Sequence, residues 1–258
     1  MTEVGVRIAG RVATITIDRP GSRNAIGLAT IGQLDEALDE VAAADCSVLM
    51  LRGAGDRAFI SGGDLKELSA IRDEAGAIAM ASRMRQLLDR LSTFPLPVIA
   101  AINGHALGGG AEVAVACDLR LAAADVKIGF TQVKLAIMPA WGGAERLAEL
   151  VGRSTALLLV ATGRTVEVRE ALRLGLVNEV AERSDFDEAC RRLAEEFAQL
   201  SPEAARSIKG VIAAARPHDH PHLQEAAVQS FASLWVADAH WDAAAAAAGP
   251  RLTPAAAR

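Results

Sequence analysis

Two glycine clusters with a carboxylate at their end are the residues of this sequence best placed to do chemistry: Ser61-Gly62-Gly63-Asp64 and Gly108-Gly109-Gly110-Ala111-Glu112. Glycine permits backbone angles that other residues avoid and lets a ligand come close to the main-chain amides. Where such a cluster opens a helix, the first N–H groups have no partner within the helix and sit at the positive end of its dipole. Two such N–H groups aimed at one oxygen would stabilise a developing oxyanion. A nucleotide-phosphate loop is a rival use of a glycine-rich turn. Here no G-x-x-x-x-G-K-[ST] occurs, and Gly104 to Gly110 does not follow G-x-G-x-x-G. No G-x-S-x-G is present either, so a serine-hydrolase elbow has no support. A purely structural turn remains open at each cluster.

The elements that must hold these clusters are legible from periodicity. Val4 to Ile8 and Arg11 to Asp18 alternate around Gly10 and read as a hairpin. Arg19 to Asn24 is a loop by its turn chemistry, and Ile31, Leu34, Leu38 and Val41 mark a helix from Leu28 to Ala44. Cys46 to Leu51, Ala58 to Ile60 and Val98 to Ile102 are short buried strands. A long helix from Ala75 to Phe94 separates the last two and is stopped by Pro95 and Pro97. A helix opens in the second glycine cluster and runs to Cys117, and Asp118 to Ala122 and Val126 to Phe130 read as strands. Beyond Gly142 the pattern is helical, with breaks at Gly152, Gly163, Gly175, Ser201-Pro202 and Pro217; only Leu176 to Val180 reads as extended. Strands alternating with helices predict an α/β core over residues 1–183 and a helical region over 184–258. The alanine run before Gly249-Pro250 is expected to be a fraying helix with a loose end.

Composition narrows the function classes. With 258 residues, 51% of them hydrophobic, the chain can bury one sizeable core. No apolar stretch is long enough to span a bilayer, and Met1-Thr2-Glu3-Val4 lacks the basic and apolar regions of a signal peptide, so a cytoplasmic location is expected. Cys46, Cys117 and Cys190 are odd in number and widely spaced, which fits free thiols rather than a disulfide framework or a zinc site. A net charge of −5, no basic run and no tyrosine argue against a nucleic-acid partner. His218, His220 and His222 alternate in a proline-containing segment without an acidic or cysteine partner and read as a solvated loop rather than a metal site.

Taken together these stretches resemble the crotonase, or enoyl-CoA hydratase/isomerase, superfamily. The resemblance is carried by Ile17-Asp18-Arg19-Pro20 with Asn24-Ala25 and by Ala58 to Leu68. It continues through Pro97 to Glu112 and Ala116-Cys117-Asp118. Further matches are Pro139, Gly142-Gly143, Arg146-Leu147, Val151-Gly152, Thr162-Gly163-Arg164, Ala171 and Gly175 to Val180, fading after about residue 215. It implies an α/β fold built as a spiral of repeated ββα units, with a helical C-terminal region that assembles trimers, alone or as pairs of trimers. It also implies a CoA-thioester substrate and no metal or redox cofactor. The amides of an oxyanion hole carry over to Gly63 and Gly109, and CoA contacts to Ala25, Ile26, Ser61, Asp64 and Leu65. Asp64 and His105 otherwise read as a turn or cap residue and a structural or lining residue.

The chain departs from the hydratase pattern at one place. Hydratases of the family use two glutamates around one water; the first matches Glu112, the second falls on Gln132. No acid lies between Asp125 and Glu145. Glutamine hydrogen-bonds but neither takes up nor releases a proton near neutral pH. A double-bond shift with Glu112 as sole proton shuttle fits a single acid, and loss of CO2 from a malonyl-type thioester generates the enolate with no base; classical hydration, or acyl-CoA binding without chemistry, is the alternative. Ile137 to Gly143 and Leu234-Trp235 resemble the ethylmalonyl-CoA decarboxylase branch, which sets Trp141 in the acyl pocket wall; Trp141 as a plain core aromatic is the competing reading, as is Glu112 as a mere compensator of a helix dipole.

Overall fold

The computed structural model describes residues 2–214 and 221–248. Among the described residues ten strands are formed: β1 Val4–Ala9, β2 Val12–Ile17, β3 Val48–Gly53, β4 Ala58–Ile60, β5 Val98–Ile102, β6 His105–Leu107, β7 Leu119–Ala123, β8 Lys127–Gly129, β9 Thr165–Glu167 and β10 Glu179–Ala181. The helices are α1 Leu28–Ala43, α2 Leu65–Leu68, α3 Glu74–Ser92, α4 Gly109–Ala116, α5 Gly143–Val151, α6 Arg153–Thr162, α7 Val168–Arg173, α8 Phe186–Ala198, α9 Pro202–Ala214, α10 Pro221–Trp235 and α11 Asp238–Ala248.

Two sheets share these strands. One runs β1-β2-β3-β5-β7-β10, antiparallel only at the β1–β2 hairpin; the other runs β4-β6-β8-β9, antiparallel only at β8–β9. The strand pairs β3 with β4, β5 with β6 and β7 with β8 each send one member to each sheet, and a helix or 3-10 turn follows each pair. This is the spiral of ββα units expected from the resemblance. β5 is buried at all five positions, as a central parallel strand covered on both faces must be. α3 buries Met80, Met84, Leu87, Leu88 and Leu91, its i, i+3, i+4 stripe, with Asp73 capping its start by accepting from the Gly76 amide at 2.8 Å.

Two buried asparagines fix the turns that lead to the glycine clusters. Asn103 donates from Nδ2 to the Gly53 and Gly55 carbonyls at 2.8 and 2.6 Å and accepts the Gly53 amide at 3.1 Å. Asn24 donates to the carbonyls of Ala54 and Ala58 at 3.0 and 2.8 Å. Both side chains therefore replace backbone partners that a tight, buried turn cannot supply.

The C-terminal part differs in detail from the sequence expectation. The extended segment is β10, Glu179–Ala181, rather than Leu176 to Val180. Leu176 and Val177 are buried in the preceding turn, where the Leu176 carbonyl accepts from Arg120 Nε at 2.7 Å. A second extended piece, β9, closes the edge of the smaller sheet. Helix breaks at Gly152 and Gly163 occur where expected, both with positive φ. Pro217, His218, His220 and residues 249–258 lie outside the described residues, as does the side chain of His222. α8 packs across β2, β3 and β7, α10 lies on α3, and α11 reaches the 3-10 turn Thr131–Leu135. Among the described residues, no helix is long and apolar enough to cross a membrane.

Candidate active site

The two glycine clusters meet backbone to backbone. Gly62 follows β4 and Gly109 opens α4, and a Cβ built on Gly62 would stand 3.3 Å from the Gly109 nitrogen. One on Gly110 would stand 1.8 Å from the Ile60 carbonyl oxygen, so only glycine lets the start of α4 press against the end of β4. The Ile26 amide donates to the Gly62 carbonyl at 2.8 Å and the Asp64 amide to the Ile26 carbonyl at 2.9 Å. That parallel bridge leaves the Gly63 N–H facing away from Ile26. Gly109 is the first residue of α4, whose N–H has no helical partner. Among the described residues neither amide donates to a protein acceptor.

The stretch from Arg19 to Ile26 is tied to the first cluster. Arg19 donates from Nη2 to Asp64 at 2.8 Å and from Nη1 to the Ala25 carbonyl. The Ser61 amide donates to the Arg23 carbonyl at 3.2 Å. Asp64 caps α2, accepting from the Lys66 amide at 3.1 Å, and Leu65 starts that helix. Ala25, Ile26, Ser61, Asp64 and Leu65 are thus gathered on one edge of the site. His105 stands apart: exposed on β6, it accepts the Lys127 amide through Nδ1 at 3.1 Å.

Glu112 lies inside α4, all eight residues of which are buried. Its Oε2 accepts the Trp141 and Gly143 amides at 2.8 and 3.0 Å, and its Oε1 accepts Gln132 Nε2 at 2.8 Å. It therefore caps the N-terminus of α5 through these amides, besides lying in the first turn of its own helix. Burial drives its pKa up to about 7, against the lowering effect of the two amides; Glu145 adds a little upward. Glu145 itself is paired with Arg85 at 2.9 Å. Burial also lifts the Cys117 and Cys190 thiols to about 12, so neither is a thiolate nucleophile.

Trp141 flanks both amides. A Cβ on Gly109 would lie 2.0 Å from Cζ3 of its indole, and one on Gly63 would lie 3.8 Å from Cζ2. The ring is buried, so the core reading of Trp141 describes its exposure, while its position is beside the two glycines. Its main chain is held on both sides, the N–H by Glu112 and the carbonyl by Arg146 Nη1 at 3.0 Å. Arg146 is in turn paired with Asp89 of α3.

A model of the enoyl-CoA hydratase/isomerase family matches residues 7–240. The chain belongs to this family. It is 37% identical to a short-chain-enoyl-CoA hydratase of Clostridium acetobutylicum, over 79% of this chain and 78% of that one. It is 34% identical to the (E)-benzylidenesuccinyl-CoA hydratase of Thauera aromatica, with 80% of each covered. The crystal structure of an enoyl-CoA hydratase from Bacillus anthracis superposes with a TM-score of 0.81 at 34% identity, covering 90% of both chains. Family membership makes this an acyl-CoA enzyme of that family. Sequence reasoning had named Arg146 only as part of the resemblance, without its contacts, and had not found Glu145, Asp89 or the two amides on Glu112. The one local sign of the last was the double glycine at 142–143, since a Cβ on Gly143 would lie 2.3 Å from Glu112 Cγ.

Proposed function

We propose that this protein forms and resolves the enolate of a CoA thioester with a single acid. The thioester oxygen is held by the N–H groups of Gly63 and Gly109, and Glu112 alone moves a proton at the α-carbon. CoA lies along Ala25, Ile26, Ser61, Asp64 and Leu65, and the indole of Trp141 walls the acyl group. The carrying observation is the 2.8 Å bond from Gln132 Nε2 to Glu112. Where a second carboxylate would stand there is an amide with no proton to exchange near neutral pH.

Two reactions need only this and no reacting water. In decarboxylation of a malonyl-type thioester, the bond to the carboxylate breaks, its electron pair becomes the enolate, CO2 leaves and neutral Glu112 protonates the α-carbon. In a double-bond shift, charged Glu112 removes a proton and returns it at the other end of the allylic system. A second reading, hydration, is favoured by the relatives named as hydratases. It also balances with one acid: Glu112 takes a proton from water as the oxygen bonds to the β-carbon, then gives that proton to the α-carbon. None of these steps calls for a metal or redox cofactor. A cytosolic trimer, or a pair of trimers, fits the exposed apolar face of α9, where Ile208, Val211 and Ile212 are 60%, 73% and 67% exposed.

Purified protein assayed from pH 5 to 9 with ethylmalonyl-CoA, a 3-enoyl-CoA and crotonyl-CoA separates the readings. Decarboxylation needs the acid form, so its rate falls as pH rises through about 7; isomerisation and hydration need the base form and rise there. Turnover of the malonyl or 3-enoyl ester ahead of crotonyl-CoA is expected. Rapid crotonyl-CoA hydration would overturn the first reading, and tight ester binding without any turnover would leave a non-catalytic acyl-CoA-binding homologue.

A further inference from the structure

A carboxylate offers four lone-pair directions, two on each oxygen. On Glu112 the two of Oε2 face the Trp141 and Gly143 amides. These donors cannot turn away: the Trp141 carbonyl is held by Arg146, whose own N–H donates to the Gly142 carbonyl at 3.3 Å. One direction on Oε1 is filled by Gln132. A single lone pair is left open.

We propose that Gln132 is a positioning residue that confines the exchangeable proton of Glu112 to one lone pair of Oε1. The inference rests on reading Glu112 as the acid of the site. It assigns Gln132 a task other than the one a second acid would perform: it carries no proton, and it decides where the other residue carries its own. With Oε2 saturated by fixed donors, a proton on that oxygen would break a backbone bond. With Gln132 in place, the second direction of Oε1 is closed as well. The acid is thus presented in one orientation.

Two further features support this. Gln132 Oε1 is buried and has no hydrogen-bond partner among the described residues. An unpaired buried carbonyl opposes folding, so a purely space-filling position would be better served by methionine or leucine. The turn that carries Gln132 is also braced from outside: His240 of α11 bonds the Leu135 carbonyl through Nδ1 at 2.7 Å. The charges facing Glu112 are accounted for. Glu145 on α5 is paired with Arg85 of α3, Arg146 with Asp89 of α3, and Lys134 on the 3-10 turn is exposed. His240, the titratable group of α11 there, is spent on Leu135.

The test is the titration of the Glu112 carboxyl itself, followed by the infrared band lost in Glu112→Gln, in the wild type, Gln132→Met and Gln132→Asn. Deleting a hydrogen bond to a charged group removes stabilisation of the charged form, so the midpoint rises by about 1–2 pH units. The pH-rate limb moves with it. If Gln132 merely fills space, methionine fills it as well and the midpoint does not move. A fall, or no shift in either variant, overturns the proposal. Gln132→Asn keeps an amide one methylene shorter and serves should the methionine variant misfold. Infrared titration needs no turnover, so an inactive wild type would sink the proposed reaction while leaving this result readable.

Discussion

Replacing Glu112 by glutamine tests whether this carboxylate is an acid held ready at a cost or a cap that steadies α5. Its pKa of about 7 against a reference of 4.5 is set first by burial, with the residue 2% exposed. In that window the folded state holds more protons than the unfolded one, so stability falls as pH rises from 4.5 to 7. Below it both states are protonated and the penalty vanishes; above it the penalty is complete, about 3 kcal/mol. Glutamine never charges. Its oxygen can accept the Trp141 and Gly143 amides, and its Nε2 can face the unpaired Oε1 of Gln132 once that amide turns over. Glu112→Gln should therefore match the wild type near pH 4.5 and exceed it at pH 8. For a domain of this size that is roughly 6–12 °C in Tm. Taking the difference between the two proteins across a pH series of thermal melts cancels every other titrating group. Turnover should be lost in the same variant. A variant less stable at pH 8, by the roughly 0.5–2 kcal/mol of a lost cap, would refute the argument and make Glu112 a structural residue of α5.

Two other substitutions probe the walls of the site. Trp141→Ala should move the kcat/KM preference from four-carbon toward eight-carbon acyl-CoA esters by at least about tenfold, since roughly two methylenes of new apolar contact supply that much; an unchanged ratio would remove Trp141 from the acyl wall. Arg19→Met unties Ala25 and Asp64 and should weaken binding of free CoA by roughly tenfold in calorimetry while kcat is kept; a loss in kcat with unchanged CoA affinity would place Arg19 elsewhere in the mechanism.

How far the sequence led depended on whether a signal was local. The apolar stripe of α1 is periodic over its own length, β3 and β5 are built on unbroken apolar runs between turns, and all three were legible. The two glycine clusters were legible because glycine answers to its own backbone. β6 and β9, three residues each, carry no periodicity and exist through pairing with β4 and β8. Leu176 and Val177 are apolar as a strand would be, yet burial alone satisfies them in a turn. Asp64 was legible as a cap, since its bond runs to Lys66, two residues on. The bond from Gln132 to Glu112 spans twenty residues, and those from Trp141 and Gly143 span 29 and 31. No local pattern encodes such distances; the glycines that make room for them are their only trace.

The same bonds bear on how the proposed chemistry would manage with one acid. Two backbone amides at the start of α5 favour the charged form of Glu112, while full burial favours the neutral one. Burial wins, but the amides keep the balance near neutrality. A carboxyl in this pocket without them would be a fixed acid; one in water with them would be a fixed base. A second glutamate at position 132 would add a like charge in contact and drive the two midpoints apart, giving one acid and one base. With glutamine there, the proposed chemistry falls to a single residue near its midpoint, which can give a proton in its neutral form for decarboxylation or remove and return one from its charged form for a double-bond shift.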